Sequence, residues 1–421
     1  MHFVHVVQMY HPVTSGSVKF FEELGQQLVR QGHRVTILTT TAAELEAFWL
    51  PSKKEFPSGS QTHMGTTIIR FPFQRFAPHP LVYPIIRRLL VELGRLRVHV
   101  RLLRALSSFT PRSHALTTWI EANAADIDVI HVTNVTLDGL IHPVMDAAER
   151  AGIPVIATPF IHLGVTTDPS LVRYYEMPQQ LDILRRSRAV FTMTARERRF
   201  VIAHGVSSAA VHTVGAGVTP AEVTGGDQAL FRSTHNLHGP IVLQIGAMAR
   251  DKGTLTTIAA MQQLWNNGIE ATLVLVGAPL EHFVTAFTKL DPDVRARIVM
   301  LAHASDQEKR DALAAAQLLV LPSRTDSFGI VFLEAWCNHV PVIGADAGGI
   351  PDVINDGVDG LLVPFDDPRT LADAIQIVLK DTALAARYAA AGYEKVLQSY
   401  TWDAIGTQMV PVCVSAGTVT S

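Results

Sequence analysis

The sequence predicts an α/β protein made of two doubly wound parallel-sheet domains in tandem. Three observations carry this. Short apolar runs alternate with longer amphipathic ones, the grammar of strand, helix, strand. The alternation starts afresh past the middle of the chain, after a stretch rich in Gly, Ser, Thr and His at residues 220–239. The length, 421 residues, is that of two or three domains.

The first half opens on Phe3–Val7, a buried strand. Residues 18–31 place Phe20, Phe21, Leu24 and Leu28 at helical spacing, and Gly32 stops the helix. Val35–Thr39, Val129–Val132, Val155–Thr158 and Ala189–Thr192 read as further strands, with a helix over Val144–Ala151 between two of them. The second half runs strand Pro240–Ile245, helix Leu255–Trp265, strand Thr272–Val276, helix Gln307–Ala316 and strand Leu318–Leu321. A helix over Gly329–Cys337 and strands Val340–Gly344 and Leu361–Val363 follow. The expected domains are 1–218 and 219–400, with a helix and tail over 401–421 packing back toward the first. Ligands of such sheets bind at the carboxyl ends of the strands, so two facing domains would enclose a cleft.

Composition excludes several classes. With 48% hydrophobic and 17% charged residues the chain is globular, not disordered. Thirty-five basic against 38 acidic residues give a formal net of −3, so no global field holds nucleic acid. Two cysteines exclude a disulfide framework and a four-cysteine zinc site. The first residues, MHFVHVVQ, lack the cationic start and small-residue cleavage site of a signal peptide. No apolar run reaches the ~18 residues of a spanning helix. A cytoplasmic protein is expected, with peripheral membrane contact as the one exception. That contact would run through residues 84–104, where Arg87, Arg88, Arg95, Arg97, Arg101 and Arg104 face Glu92 alone, a net of six minus one, +5. A solvated helix face explains the same residues, and Gly94 weakens a single continuous helix there.

The residues that carry chemistry lie at strand-to-helix turns. In Leu318–Pro364 a strand ends at Pro322, a loop carries Asp326, and Phe328–Gly329 open a helix that holds Glu334. Two carboxylates and the free first-turn amides thus share one space. Such a site suits a ligand with both phosphate and hydroxyls. Taken alone, Asp326 reads equally well as an N-cap and Glu334 as a solvated helix residue. The run GAMARDKG, Gly246–Gly253, sets Arg250 and Lys252 before a helix, two cations fit for a leaving diphosphate. No GxxxxGK[ST] or GxGxxG occurs at these turns, which counts against a Walker loop and a dinucleotide oxidoreductase. After the first strand, PVTSG puts Gly16 at a helix start. His162 lies just past a strand whose end should reach the cleft, where a histidine is structural at least as often as catalytic. The carboxylate pairs Asp126/Asp128 and Asp291/Asp293 read as strand entry and turn chemistry, so no metal ligands are assigned.

Together these segments resemble the GT-B glycosyltransferases of family GT4, the retaining group 1 enzymes. LVLPSRTDSFGIVFLEAWCNHVPVIGADAGGIPDVINDGVDGLLVP is similar to the family's E-x7-E segment with its GG and GLLVP runs. GAMARDKG resembles its Arg/Lys diphosphate loop, and YHPVTSG with RQGHRVTILTT its amino-terminal loop and second strand. The resemblance covers nearly the whole chain, least over residues 41–125.

It implies a GT-B fold and metal-independent hexosyl transfer from a UDP- or GDP-sugar donor to an acceptor hydroxyl on a glycan, lipid or small molecule, with no other cofactor. Glu334 would hold the nucleotide ribose, and Asp326 the donor-sugar hydroxyls. Arg250 and Lys252 would bind the diphosphate and stabilise it as it leaves. Backbone at Phe328, Gly329, Ile330 and Val331 would touch sugar and phosphate. Gly16 would lie against the donor phosphates or acceptor, and His162 beside the sugar. The chain departs from the pattern at Ser15, Thr219, His303, Asp326 and His339. Competing readings are a GT-B-like phosphorylase, a nucleotide-sugar epimerase, and a non-catalytic nucleotide-sugar-binding subunit.

Overall fold

A computed structural model describes residues 1–76, 81–96, 98–168 and 170–418. Its contacts divide the chain into two compact units. Unit 1 comprises Met1–Ile161, Ser170–Val214 and Ile405–Ser421, and unit 2 His162–Pro169 and Gly215–Ala404.

Unit 1 is built on an eight-stranded sheet. Its strands are β1 (His2–Val6), β2 (Arg34–Thr40), β3 (Gly59–His63), β4 (Thr66–Phe71), β5 (Val129–Thr133), β6 (Val155–Thr158), β7 (Ala189–Thr192) and β8 (Val211–Thr213). Their order is β3-β4-β2-β1-β5-β6-β7-β8. All neighbours are parallel except β3, which turns back on β4 as an antiparallel edge hairpin. β3, GSQTH, is largely exposed and carries no apolar signal.

β1 and β5 are buried along their whole length, as strands covered on both faces must be. The first helix, Gly16–Arg30, starts at Ser15, whose hydroxyl accepts from Val18 N. Such a cap contributes about 1 kcal/mol. Phe20, Phe21, Leu24 and Leu28 are fully buried and form its inner face.

The arginine-rich segment forms two helices, Val82–Arg95 and Val100–Ser107. Arg87 is buried and donates to the Thr136 carbonyl, and Arg104 pairs with Asp146 at 2.5 Å. Two of the segment's cations are thus spent inside the unit, while Arg88, Arg95 and Arg101 are exposed. Arg97 lies outside the described residues.

Unit 2 is a six-stranded, wholly parallel sheet. Its strands are β9 (Ile241–Ile245), β10 (Thr272–Val276), β11 (Ile298–Leu301), β12 (Leu318–Leu321), β13 (Val342–Ala345) and β14 (Leu361–Val363), in the order β11-β10-β9-β12-β13-β14. The chain builds outward from β9 on one side, then restarts at β12 on the other. The loops that follow β9 and β12 therefore leave adjacent strand ends, the position where doubly wound sheets bind ligands. Ile258, Met261, Leu273, Phe283, Val320 and Ile375 pack the core beneath.

The Gly/Ser/Thr/His-rich stretch holds two short helices, Pro220–Val223 and Gln228–Thr234. Asp311 anchors it to unit 2 by accepting from Asp227 N at 2.7 Å.

Candidate active site

The β9 and β12 loops are laced together. Asp251 takes Arg324 Nε on its side chain at 2.9 Å, and its carbonyl accepts from Arg324 N at 3.0 Å. Arg324 also pairs with Asp168 at 2.9 Å, which ties in the 162–168 segment. Gly253 ends the β9 loop at φ +71, and a Cβ there would lie 2.3 Å from the Pro322 carbonyl oxygen. Only glycine permits this approach. The same holds at Gly348, with φ +58 and a virtual Cβ 2.4 Å from the Asp326 carbonyl oxygen. Gly349 N donates to that oxygen at 2.9 Å, and Gly348 N to the Gly164 carbonyl at 2.7 Å. Three segments, the β9 loop, residues 162–168 and residues 348–349, thus hold the loop that carries Asp326.

At their junction Lys252 Nζ donates to Asp326 Oδ2 at 2.9 Å. Burial opposes the charge on Asp326, but the Lys252 ammonium and the Ser323 hydroxyl outweigh it and hold the carboxyl below its usual range. His162 feels both charges and bonds to the Thr325 backbone. Burial first, and Lys252 second, push its pKa down to about 4, so the ring is neutral at neutral pH.

The helix beyond the loop runs Ile330–Cys337, with Gly329 rather than Asp326 as its N-cap. The N-cap reading of Asp326 is corrected, and its carboxylate is used by Lys252. Ile330 and Val331 open the first turn, where amide groups lack helical partners. Phe328 is buried, its ring edge-on to Tyr400 at 5.4 Å.

Glu334 is the fifth residue of the helix and only 8% exposed. It is not a solvated helix residue, since Lys309 Nζ reaches both of its oxygens, at 2.7 and 2.6 Å.

Arg250 stands apart from Lys252. Its side chain is 71% exposed and lies 3.6 Å from Asp366, while its backbone N donates to His282 Nε2. Gly16 belongs to unit 1 and is the exposed first residue of its helix. Of the departures from the family pattern, Ser15 caps that helix and His339 packs on Tyr393 at 4.4 Å.

Sequence reasoning missed Lys309, Arg324 and Asp168. Lys309 follows a Ser305–Glu308 capping box on a polar helix, so it reads as surface. Arg324 had a signal, two residues before Asp326 in the same loop.

Two family models cover most of the chain: "Glycosyl transferase 4-like domain" over residues 15–217 and "Glycosyl transferases group 1" over 227–395. The chain belongs to the GT4-like, group 1 glycosyltransferases. The chain is 31% identical over 219 residues to the alpha-maltose-1-phosphate synthase of Mycolicibacterium smegmatis, covering 48% of this chain and 56% of that one. It is 26% identical over 291 residues to the D-inositol 3-phosphate glycosyltransferase of Xylanimonas cellulosilytica, covering 64% and 68%. The chain spans about half the length of several curated relatives it matches.

Among solved structures, the Anabaena protein HepE in complex with UDP and glucose superposes with a TM-score of 0.74 at 18% identity, covering 99% of this chain and 100% of that one. The sucrose-phosphate synthase of Thermosynechococcus elongatus gives 0.72 at 20% identity, with 98% of each chain covered. The chain has the GT-B fold. Among its described residues no helix is long and apolar enough to cross a membrane.

Proposed function

We propose that the chain transfers a hexosyl unit from a nucleoside-diphosphate sugar to an acceptor hydroxyl, with retention at the anomeric carbon. The observation that supports this best is the convergence of Lys252, Asp326 and His162 at the mouth of the Ile330–Cys337 helix. Lys252 and the first-turn amides meet negative charge, while Asp326 and the neutral His162 ring offer acceptors to sugar hydroxyls. Glu334 takes the nucleotide ribose, with Lys309 holding it in place.

As the bond from C1 to the diphosphate breaks, the acceptor oxygen bonds to C1 from the same face. Its proton passes to the departing phosphate oxygen. Charge grows on the diphosphate, and Lys252, Arg250 and the amides stabilise it. No metal is needed for that role in this reading. The UDP complexes of HepE favour a uridine donor over a guanosine one. A relative acting on D-inositol 3-phosphate favours a polyol or sugar-phosphate acceptor over a glycan.

The same reading places the protein in the cytoplasm, with membrane contact through residues 84–104. Exposed Ile85, Leu89, Leu96 and Leu102 beside Arg88, Arg95 and Arg101 support it. Unchanged binding to anionic liposomes after Arg88, Arg95 and Arg101 are replaced by Ser removes that part.

The deciding experiment is thermal stability with UDP, GDP, ADP and their sugar conjugates, each with and without EDTA, the shift being read within each condition. A ligand at ~100 times its dissociation constant stabilises by ~2.7 kcal/mol. An EDTA-insensitive shift with one nucleotide, followed by transfer to an acceptor panel, is expected. Binding with no transfer to any acceptor rejects the transferase in favour of a binding subunit, and sugar conversion without acceptor favours an epimerase.

A further inference from the structure

We propose that His11, Glu22 and His63 form a binding site for one divalent transition-metal ion of the zinc class. The three residues come from three separate elements of unit 1. His11 lies in the loop after β1, Glu22 on the Gly16–Arg30 helix, and His63 at the end of β3. Each offers one ligand atom, and the three atoms lie within 4.8 Å of one another.

The geometry is close to that of a bound ion. His63 Nε2 is 3.5 Å from Glu22 Oε1, and His11 Nδ1 is 3.8 Å from the same oxygen. Both separations are too long for hydrogen bonds. Zinc–nitrogen and zinc–oxygen bonds of about 2.1 Å place tetrahedral ligand atoms about 3.4 Å apart. The two imidazoles are stacked at 3.8 Å and 21°, so their nitrogens address the carboxylate side by side. An ion among them asks the two rings to splay apart, so that both in-plane lone pairs meet it.

The donor set chooses the ion. Two imidazoles and one carboxylate suit Zn²⁺ and its transition-metal neighbours, whereas Mg²⁺ and Ca²⁺ prefer all-oxygen sites. Three protein ligands leave a fourth position, and His11, at 38% exposed, leaves it to solvent. Arg70 donates to the His11 carbonyl and fixes the loop, but its charge opposes a second cation. The affinity expected is therefore micromolar. Bound there, an ion clips the β3–β4 hairpin and the 10–15 loop onto the helix that begins at Gly16.

The test uses the full chain stripped with chelator, with no donor or acceptor present, so it stands or falls apart from the transfer reaction. Zn²⁺ is titrated calorimetrically, and Co²⁺ is followed by its tetrahedral absorption. One ion per chain is expected, with a rise in thermal midpoint. The chain has 18 histidines, so variants decide the site. His63→Ala and Glu22→Gln should each weaken binding by more than about tenfold and abolish the cobalt band, while His114→Ala leaves both intact. The variants' melting without metal should match the parent, which separates lost ligands from lost fold. Equal zinc affinity in the parent and in a His11→Ala/His63→Ala chain, or no saturable event, overturns the proposal.

Discussion

Lys252 and Asp326 are 74 residues apart in sequence and 2.9 Å apart in space. The pairing follows from topology. Their loops leave β9 and β12, neighbours in the sheet although β10 and β11 come between them in sequence. Without a donor, each side chain is committed to the other. In the proposed reaction, a diphosphate arriving at Lys252 would compete with Asp326 and release it toward the sugar.

Lys252→Ala should cut kcat/KM for transfer by about 10²–10³, the scale of losing one preorganised charge partner. The variant also leaves the Asp326 carboxylate buried without its counter-ion. Lys252→Met combined with Asp326→Asn should therefore recover thermal stability without recovering rate. Arg250→Ala should also lower the rate, with little change in stability, because that side chain is exposed. Near-normal turnover in either single variant removes that residue from the diphosphate role.

Glu334→Gln should raise the donor KM by about tenfold or more, since each bond to a charged acceptor contributes ~1.5–3 kcal/mol. Lys309→Ala should weaken donor binding as well, and cost about 1–3 kcal/mol of stability by stranding a buried carboxylate. Adding Glu334→Gln to Lys309→Ala should return much of that stability. Urea unfolding of the three variants checks this, and strictly additive losses would contradict the pairing.

Acid should destabilise the fold through its buried histidines. Burial pushes His5 and His142 down to about 3 and His162 to about 4, and holds His131 well below 6.5. Their folded pKa values lie below the unfolded value of 6.5, so as pH falls the unfolded chain takes up protons that the fold refuses. The stability they contribute is complete above pH ~6.5 and drains as pH falls toward 4. The slope is about 1.4 kcal/mol per pH unit for each histidine. Urea midpoints between pH 7.5 and 4.5 measure it, and His162→Gln should make the slope shallower by one proton.

Gly348→Ala should damage donor binding from outside the binding residues. Its φ of +58 and the Asp326 carbonyl at 2.4 Å leave no room for a methyl group. The backbone carrying Asp326 has to move. A donor KM raised severalfold, with unit 1 melting unchanged, is the expected result. An unaltered KM would show that the loop tolerates the shift.

What the sequence disclosed follows physical signals. Glycines and prolines punctuate the strand–loop–helix turns, so Lys252, Asp326 and Glu334 stood out at them. The continuous apolar runs of β1 and β9 announced buried strands. Lys309 stayed hidden because its role depends on the packed face of a polar helix. β3 stayed hidden because an exposed edge strand needs no apolar residues, and β8 because three residues show no period. Register hid the pairing of His5 with His131, whose rings meet at 5.3 Å in adjacent strands.

The last helix, Trp402–Gly417, has a consequence for how the chain is made. Ile405, Met409, Val410 and Cys413 are buried in it, and Gly417 lies against Met1 and Val129. Unit 1 is translated first but takes one of its pieces, Ile405–Ser421, from beyond unit 2. During synthesis its sheet must wait, with that seam uncovered, until all of unit 2 has emerged. The nascent chain is therefore most exposed to aggregation and to chaperone capture while unit 2 is being made.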